Sequence, residues 1–226
     1  MLNKFLVIFL TASLITVAGT STGMAGPRGN GGGNGGGKDK HEPIDSAPLS
    51  EDEVAGLMFM REEEKVARDS YLTLGGAWGL TIFDNIASSE QSHMDALKKL
   101  FDKYELPDPV IPGVGEFTDP ELQELYDALV FWGEKSLMDS LYVGAVIEET
   151  DMMDIQHAID ETDHEDIIST YNTLMCGSRN HLRAFARQIE ANGGLYDPSD
   201  DYFEDSADYF LAIADSPMER DCDDQD

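Results

Sequence analysis

The sequence predicts an all-α fold: an antiparallel four-helix bundle with a long crossover between its second and third helices. Three observations predict it. Apolar residues recur at the helical period in four separate stretches between residues 49 and 191. Those stretches open on capping patterns and are separated by breaks rich in glycine or proline. No period-two alternation long enough for a strand lies among them.

Helix 1 opens at Leu49-Ser50-Glu51-Asp52-Glu53. Ser50 is the expected N-cap, Glu53 its capping-box partner, and Leu49 with Val54 the hydrophobic staple. Gly75-Gly76 is expected to end the helix near Leu74. Helix 2 begins near Thr81, with Asp84 three places on, and runs to about Tyr104. Pro107, Pro109, Pro112, Gly113 and Gly115 then enforce an irregular crossover. Asp119-Pro120 supplies an N-cap and first-turn proline for helix 3, which breaks near Gly133 and resumes to about Asp160. Thr162 and Glu165 form another capping-box pattern, and helix 4 ends at Gly193-Gly194.

The flanks have other characters. Residues 1–25 read as a secretory signal: Lys4, an apolar run over residues 5–18, then small residues around Gly23-Met24-Ala25. The run is about 14 residues, short of the roughly 20 that span a bilayer. Export is therefore expected, with no membrane span after cleavage; an uncleaved signal would anchor the chain. Residues 26–48 are a Gly-rich flexible linker, 49–195 the helical domain and 196–226 an acidic tail. Tyr202, Phe203, Tyr209, Phe210 and Leu211 give part of that tail reason to fold back. Net charge is −30, from 45 acidic and 15 basic residues, which repels nucleic acid and anionic lipid and excludes both as partners. Two cysteines are present, Cys176 and Cys222, with no Cys-x-x-Cys. Export permits a disulfide between them, tying the tail to the bundle, and the sequence leaves that pairing open.

Each apolar stripe carries an acidic or imidazole residue at its centre. A helix turns about 100° per residue, so Leu57, Met60, Ala67 and Tyr71 surround the direction of Glu64, while Glu62, Glu63 and Lys65 point elsewhere. Phe83, Ile86, Met94, Leu97 and Phe101 surround Glu90, and His93 lies one turn along the same face. Leu141, Ala145, Met152, Ile155 and Ile159 centre on Glu148, and Leu174, Gly177, Phe185 and Gln188 on His181. Height agrees for the first pair of helices: counted from the loop near Ala77, Glu64 and Glu90 are each about 13 residues away, or roughly 20 Å. For the second pair the offset between Glu148 and His181 is roughly 7 Å. An inward carboxylate is costly unless paired. Four such stripes point to a cation held between helices; the alternative is a buried salt-bridge and hydrogen-bond network in an inert helical module, with Arg68 close enough in direction to pair with Glu64.

At these residues the chain resembles the ferritin-like superfamily of carboxylate-bridged di-metal bundles, which supply a Glu from each of two helices and Glu-x-x-His from the other two. Glu64, in Glu64-Lys65-Val66-Ala67-Arg68-Asp69-Ser70-Tyr71, resembles the first-helix ligand of rubrerythrin-type members. Glu90 with His93, then Glu148, then His181 match the other three helices. The stretches Glu148-Glu149-x-Asp151 and Gly177-Ser178-Arg179-Asn180-His181-Leu182 resemble the DUF2202 branch more closely. The fourth motif departs from the pattern, since Ser178 stands where a glutamate is expected, and Asp151 is the candidate replacement. The resemblance implies a metal set of Glu64, Glu90, His93, Glu148, Asp151 and His181, holding iron (as many as two ions) or manganese, which suit a mixed oxygen and nitrogen shell. It implies an oxidoreductase of ferroxidase or peroxidase type, acting on dioxygen, peroxide or ferrous iron, and leaves a homodimer open. Tyr71, on the Glu64 stripe, is the candidate catalytic residue, able to supply a hydrogen bond or an electron.

Overall fold

The computed structural model describes residues 48–198, 202–220 and 222; the signal and linker expected before residue 48 lie outside them. The described residues form six helices: α1 Glu51–Trp78, α2 Thr81–Lys103, α3 Pro120–Gly133, α4 Leu137–Asp160, α5 Glu165–Ala191 and α6 Ser206–Ala214. Among the described residues there is no strand. No described helix is long and apolar enough to cross a membrane.

The four long helices contact one another in a ring. α1 lies along α2 and α4 along α5, while α1 also meets α4 and α2 meets α5. The core between them holds Leu57, Tyr71, Phe83, Phe101, Leu141, Ile155, Leu174 and Phe185, all closed to solvent. α3 packs across α1 and α4, and α6 folds the acidic tail back onto α5.

The capping box at Ser50 and Glu53 forms as the sequence predicts. Helix 1, however, passes through Gly75-Gly76 and ends at Gly79, whose φ of 67° is the left-handed conformation that favours glycine. Gly75 sits where α2 packs close against α1: a Cβ there would fall 3.1 Å from Phe83 Cβ, whereas one on Gly76 would meet nothing within 4 Å. Thr162 and Glu165 do not make a capping box either; α5 starts after His164 with no side-chain cap. Thr162 Oγ1 instead donates to Glu53 Oε1 at 2.6 Å, stitching the α4–α5 turn to the start of α1.

The crossover is anchored by the α1 residues that flank Glu64. Lys65 is fully buried and donates to Asp69 Oδ2 (2.5 Å), Gly113 O (2.7 Å) and Glu116 O (2.9 Å). Arg61 donates to Met94 O (2.6 Å) and pairs with Asp108 (3.0 Å), and Thr118 N donates to Glu62 Oε1 (2.6 Å). Glu62, Glu63 and Lys65 do point away from Glu64's direction, yet all are buried, Glu62 and Lys65 under the crossover and Glu63 against α3 and α4.

Cys176 of α5 and Cys222 form a disulfide, with Cα atoms 5.5 Å apart. Arg179 and Arg183 of α5 both pair with Glu219, at 2.6 Å and 2.7 Å, so the tail is held by charge as well.

Candidate metal centre

Five of the six residues expected to ligate a metal converge between α1, α2, α4 and α5. Glu64, Glu90 and His93 form one group of close donor atoms, and Glu90, Glu148 and His181 a second. Glu90 belongs to both. All five side chains are buried.

His93 Nδ1 lies 3.1 Å from Glu64 Oε2 and 2.8 Å from Glu90 Oε2. His181 Nδ1 lies 2.9 Å from Glu90 Oε1 and 3.3 Å from Glu148 Oε2. The two imidazoles stack with centroids 5.5 Å apart. His181 Nε2 is 2.9 Å from Ser89 Oγ, a contact that turns Nδ1 towards the carboxylates. The Glu148–His181 contact closes despite the axial offset because side chains tilt towards their own helix's N-terminus. Glu148 therefore leans away from the α4–α5 turn and His181 leans towards it. The same opposed tilt joins Glu64 to His93.

Three donor atoms of this centre, Glu64 Oε1, Glu90 Oε1 and His181 Nδ1, are buried without a hydrogen-bond partner. Glu90 Oε1 and His181 Nδ1 are close but not aligned for a hydrogen bond. Buried polar atoms are nearly always paired, so donors that converge without bonding fit a cation between them. Three carboxylates and two imidazoles suit iron or manganese. No Lys or Arg among the described residues pairs with these carboxylates; Arg68, the candidate partner of Glu64, turns to Asp69 (2.7 Å) and Gln91 (2.6 Å).

Asp151 lies outside both groups. It accepts a short hydrogen bond from Ser178, the serine that stands in place of a glutamate. Burial, then the charges of Glu64, Glu148 and Glu90, push its carboxyl well above the usual range, so it sits within electrostatic reach of the centre. Tyr71, fully buried, donates to Glu148 Oε1 at 2.5 Å. Burial and the charges of Glu148 and Glu90 raise its phenol, keeping it a neutral donor. An open cleft of about 510 Å³, lined by Asn85, Ile86, Asn180, His181, Arg187 and Met218 among others, reaches the outer side of His181.

Sequence reasoning missed Glu63 and Asp154. Asp154 was visible as the next step of the three-residue spacing Glu148, Asp151, Asp154 on α4. Glu63 had no such signal, because its burial depends on α3 and α4.

The charges make a pH prediction. Burial, partly offset by His93, raises Glu64 from 4.5 to about 7. Burial and the Glu90 charge raise Glu148 from 4.5 to about 7. Burial opposes a charged His181, but Glu90 and Glu148 outweigh it and lift it from 6.5 to about 10; Glu64 and Glu90 lift His93 in the same way. All four bind protons more tightly folded than unfolded. Their contribution declines through about pH 4.5–7 for the carboxyls and through about pH 6.5–10 for His181, with His93 declining in the same direction above 6.5. Glu90, held low by His181 and His93 against burial, has the opposite sign but acts only below its unfolded value of 4.5. The metal-free protein is therefore expected to melt at lower temperature as pH rises from about 5 to about 9. Added Mn²⁺ should raise the melting temperature more at the higher pH, because ligands must shed protons to bind. Calorimetry with chelator and with Mn²⁺ checks both; a flat metal-free profile contradicts the assignment.

The family model described as an uncharacterised protein domain, DUF2202, matches residues 53–208. An uncharacterised protein of Methanocaldococcus jannaschii is 54% identical over 152 residues, spanning 67% of this chain and 82% of that protein. The crystal structure of a hypothetical protein from Methanococcus jannaschii superposes with a TM-score of 0.73 at 49% identity, covering 77% of this chain and 98% of that one. With more than half of its 226 residues matched by the family model, and a relative of that identity, the chain belongs to the DUF2202 family.

Proposed function

We propose that this protein is an exported, ferritin-like metalloprotein that binds two iron or manganese ions and performs redox chemistry on dioxygen, peroxide or ferrous iron. The observation that carries the reading is Glu90, shared by two Glu/His groups whose donors converge while three of them lack hydrogen bonds. Glu64, Glu90 and His93 would hold one ion, and Glu90, Glu148 and His181 the other. Bound iron or manganese would supply reversible one-electron changes and an open position for a small oxygen species.

The chain's own residues have defined work. Ser89 orients His181. Tyr71 orients Glu148, and the same 2.5 Å contact offers the phenol proton an acceptor when the ring gives up an electron. The apolar walls of Leu57, Met60, Leu97 and Ile155 exclude bulk water, which strengthens every charge interaction within. The Cys176–Cys222 disulfide supports an oxidising compartment, in keeping with the signal read at residues 1–25.

The competing reading is a non-catalytic helical module in which the Glu–His contacts are only a polar network. The contacts of His93 with Glu64 and Glu90 favour it, since they satisfy several atoms without metal. Metal analysis separates the two: the mature domain, reconstituted with Fe²⁺ or Mn²⁺ and desalted, should retain about two equivalents, and retention below about a tenth of an equivalent defeats the metal reading. Tyr71→Phe should keep that metal and lose about 1 kcal/mol of stability with its hydrogen bond. Its peroxide or ferrous-oxidation turnover should fall at least tenfold; unchanged turnover removes Tyr71 from the chemistry.

A further inference from the structure

We propose that the cleft on the outer side of His181 binds a small organic anion, one with an apolar body and a single carboxylate, and seats it against the metal centre. The inference rests on the reading of that centre as a metal site, and gives it an organic ligand beside oxygen species or ferrous iron.

The cleft lies between the first turns of α2 and the second half of α5, with Met218 of the tail at its side. Residues 81, 82, 85 and 86 of α2 face residues 180, 181, 184, 187 and 188 of α5, spacings that put each set on one face of its helix. Its volume is about 510 Å³, within the roughly 300–1,000 Å³ of small-molecule sites and many times the roughly 30 Å³ share of one water. Dioxygen or peroxide alone would leave most of it to solvent. The tail wall is fixed in place. Glu219, next to Met218, pairs with Arg179 and Arg183, its N–H donates to Asn180 Oδ1 at 2.8 Å, and Cys222 is bonded to Cys176.

Ile82, Ile86, Ala184 and Met218 give the cleft apolar walls. Beside them stand three donors with no partner among the described residues: the side-chain amides of Asn85 and Gln188 and the guanidinium of Arg187. Arg61, Arg68, Arg179 and Arg183 all pair with carboxylates, whereas Arg187, the remaining helical arginine, has no acidic partner among the described residues. None of the residues lining the cleft is acidic, in a chain with 45 acidic and 15 basic residues. A guanidinium fork matches a carboxylate and apolar walls match a carbon skeleton, while a cation finds no counter-charge here. His181 joins the cleft to the centre: it lines the cleft, and its Nδ1 lies 2.9 Å from Glu90 Oε1 and 3.3 Å from Glu148 Oε2. One imidazole ring therefore separates a bound molecule from the carboxylates of the centre.

The test titrates benzoate into the full-length, disulfide-bonded, metal-free chain, followed by NMR shifts of the Asn85 and Gln188 amides and the Arg187 Nε–H. Binding should saturate. Benzyl alcohol, of similar shape without the charge, should bind about fivefold more weakly, and benzylamine not at all. Arg187→Gln should weaken benzoate about fivefold and leave benzyl alcohol unchanged. Ala184→Trp, which fills the cleft from a partly exposed position, should abolish binding of both at an unchanged melting temperature. With Mn²⁺ added, wild type should relax the protons of bound benzoate at least tenfold faster than Glu90→Ala, which binds benzoate without retaining metal. Absence of saturable benzoate binding, or equal binding by wild type, Arg187→Gln and Ala184→Trp, overturns the site. Relaxation by Mn²⁺-retaining wild type no faster than by Glu90→Ala overturns its place against the centre. Failure of wild type to retain Mn²⁺ overturns the metal centre instead; the titrations of the metal-free chain still decide the cleft.

Discussion

Glu90→Ala is expected to abolish metal retention at both positions together. Glu90 is the only residue shared by the two donor groups, so its removal takes a carboxylate oxygen from each. Content after reconstitution should fall from about two equivalents to under a tenth, measured by elemental analysis of desalted protein. The metal-free protein should also weaken. Glu90 stands between His93 Nδ1 at 2.8 Å and His181 Nδ1 at 2.9 Å, and removing one partner of a buried ion pair costs about 3–5 kcal/mol. The histidines can shed their protons, which places the loss near the lower figure, about 3 kcal/mol. The loss should shrink as pH rises and the histidines of the parent protein lose charge. A variant that keeps its metal shows that the ligands are misassigned.

Gly177→Ala should be the second large effect, and its sign runs against helix propensity. Alanine in place of glycine inside a helix ordinarily stabilises by about 0.5–1 kcal/mol. Here a Cβ on Gly177 would fall 2.3 Å from His93 Nε2 and 2.7 Å from its Cε1. His93 cannot retreat freely, because its other nitrogen is held between Glu64 and Glu90. Overpacking of this kind costs about 1–3 kcal/mol. The displaced ring should release the ion of the Glu64, Glu90 and His93 group while the Glu148 and His181 side keeps its donors. Retained metal should therefore drop by about half, with a lower melting temperature. Unchanged content with a higher melting temperature contradicts the packing.

The two variants together divide the centre. Loss of everything in one and of half in the other is the pattern of two ions joined by one carboxylate. Loss of everything in both points to a single ion bound by all five residues.

Local pattern alone determined much of this protein. Cap residues, the helical period and the proline-rich break placed the four long helices, because these depend on neighbours within a few positions. The same periodicity picked Glu64 from three successive glutamates and set Glu90, His93, Glu148 and His181 on inward faces; the structure brings these five together. What sequence pattern could not decide was anything set by a second element. Glu62 and Lys65 are buried because the crossover packs over α1, and Glu63 because α3 and α4 do, so their neighbours are distant in sequence. Gly75-Gly76 has the composition of a stop, but Gly75 serves contact with α2 and Gly79 ends the helix. The axial mismatch between Glu148 and His181 disappears once opposed helices tilt their side chains towards each other. Asp151 meets Ser178, and Cys176 meets Cys222, by the same rule. Direction on a helix is a local property, but who stands opposite is decided by how the helices pack.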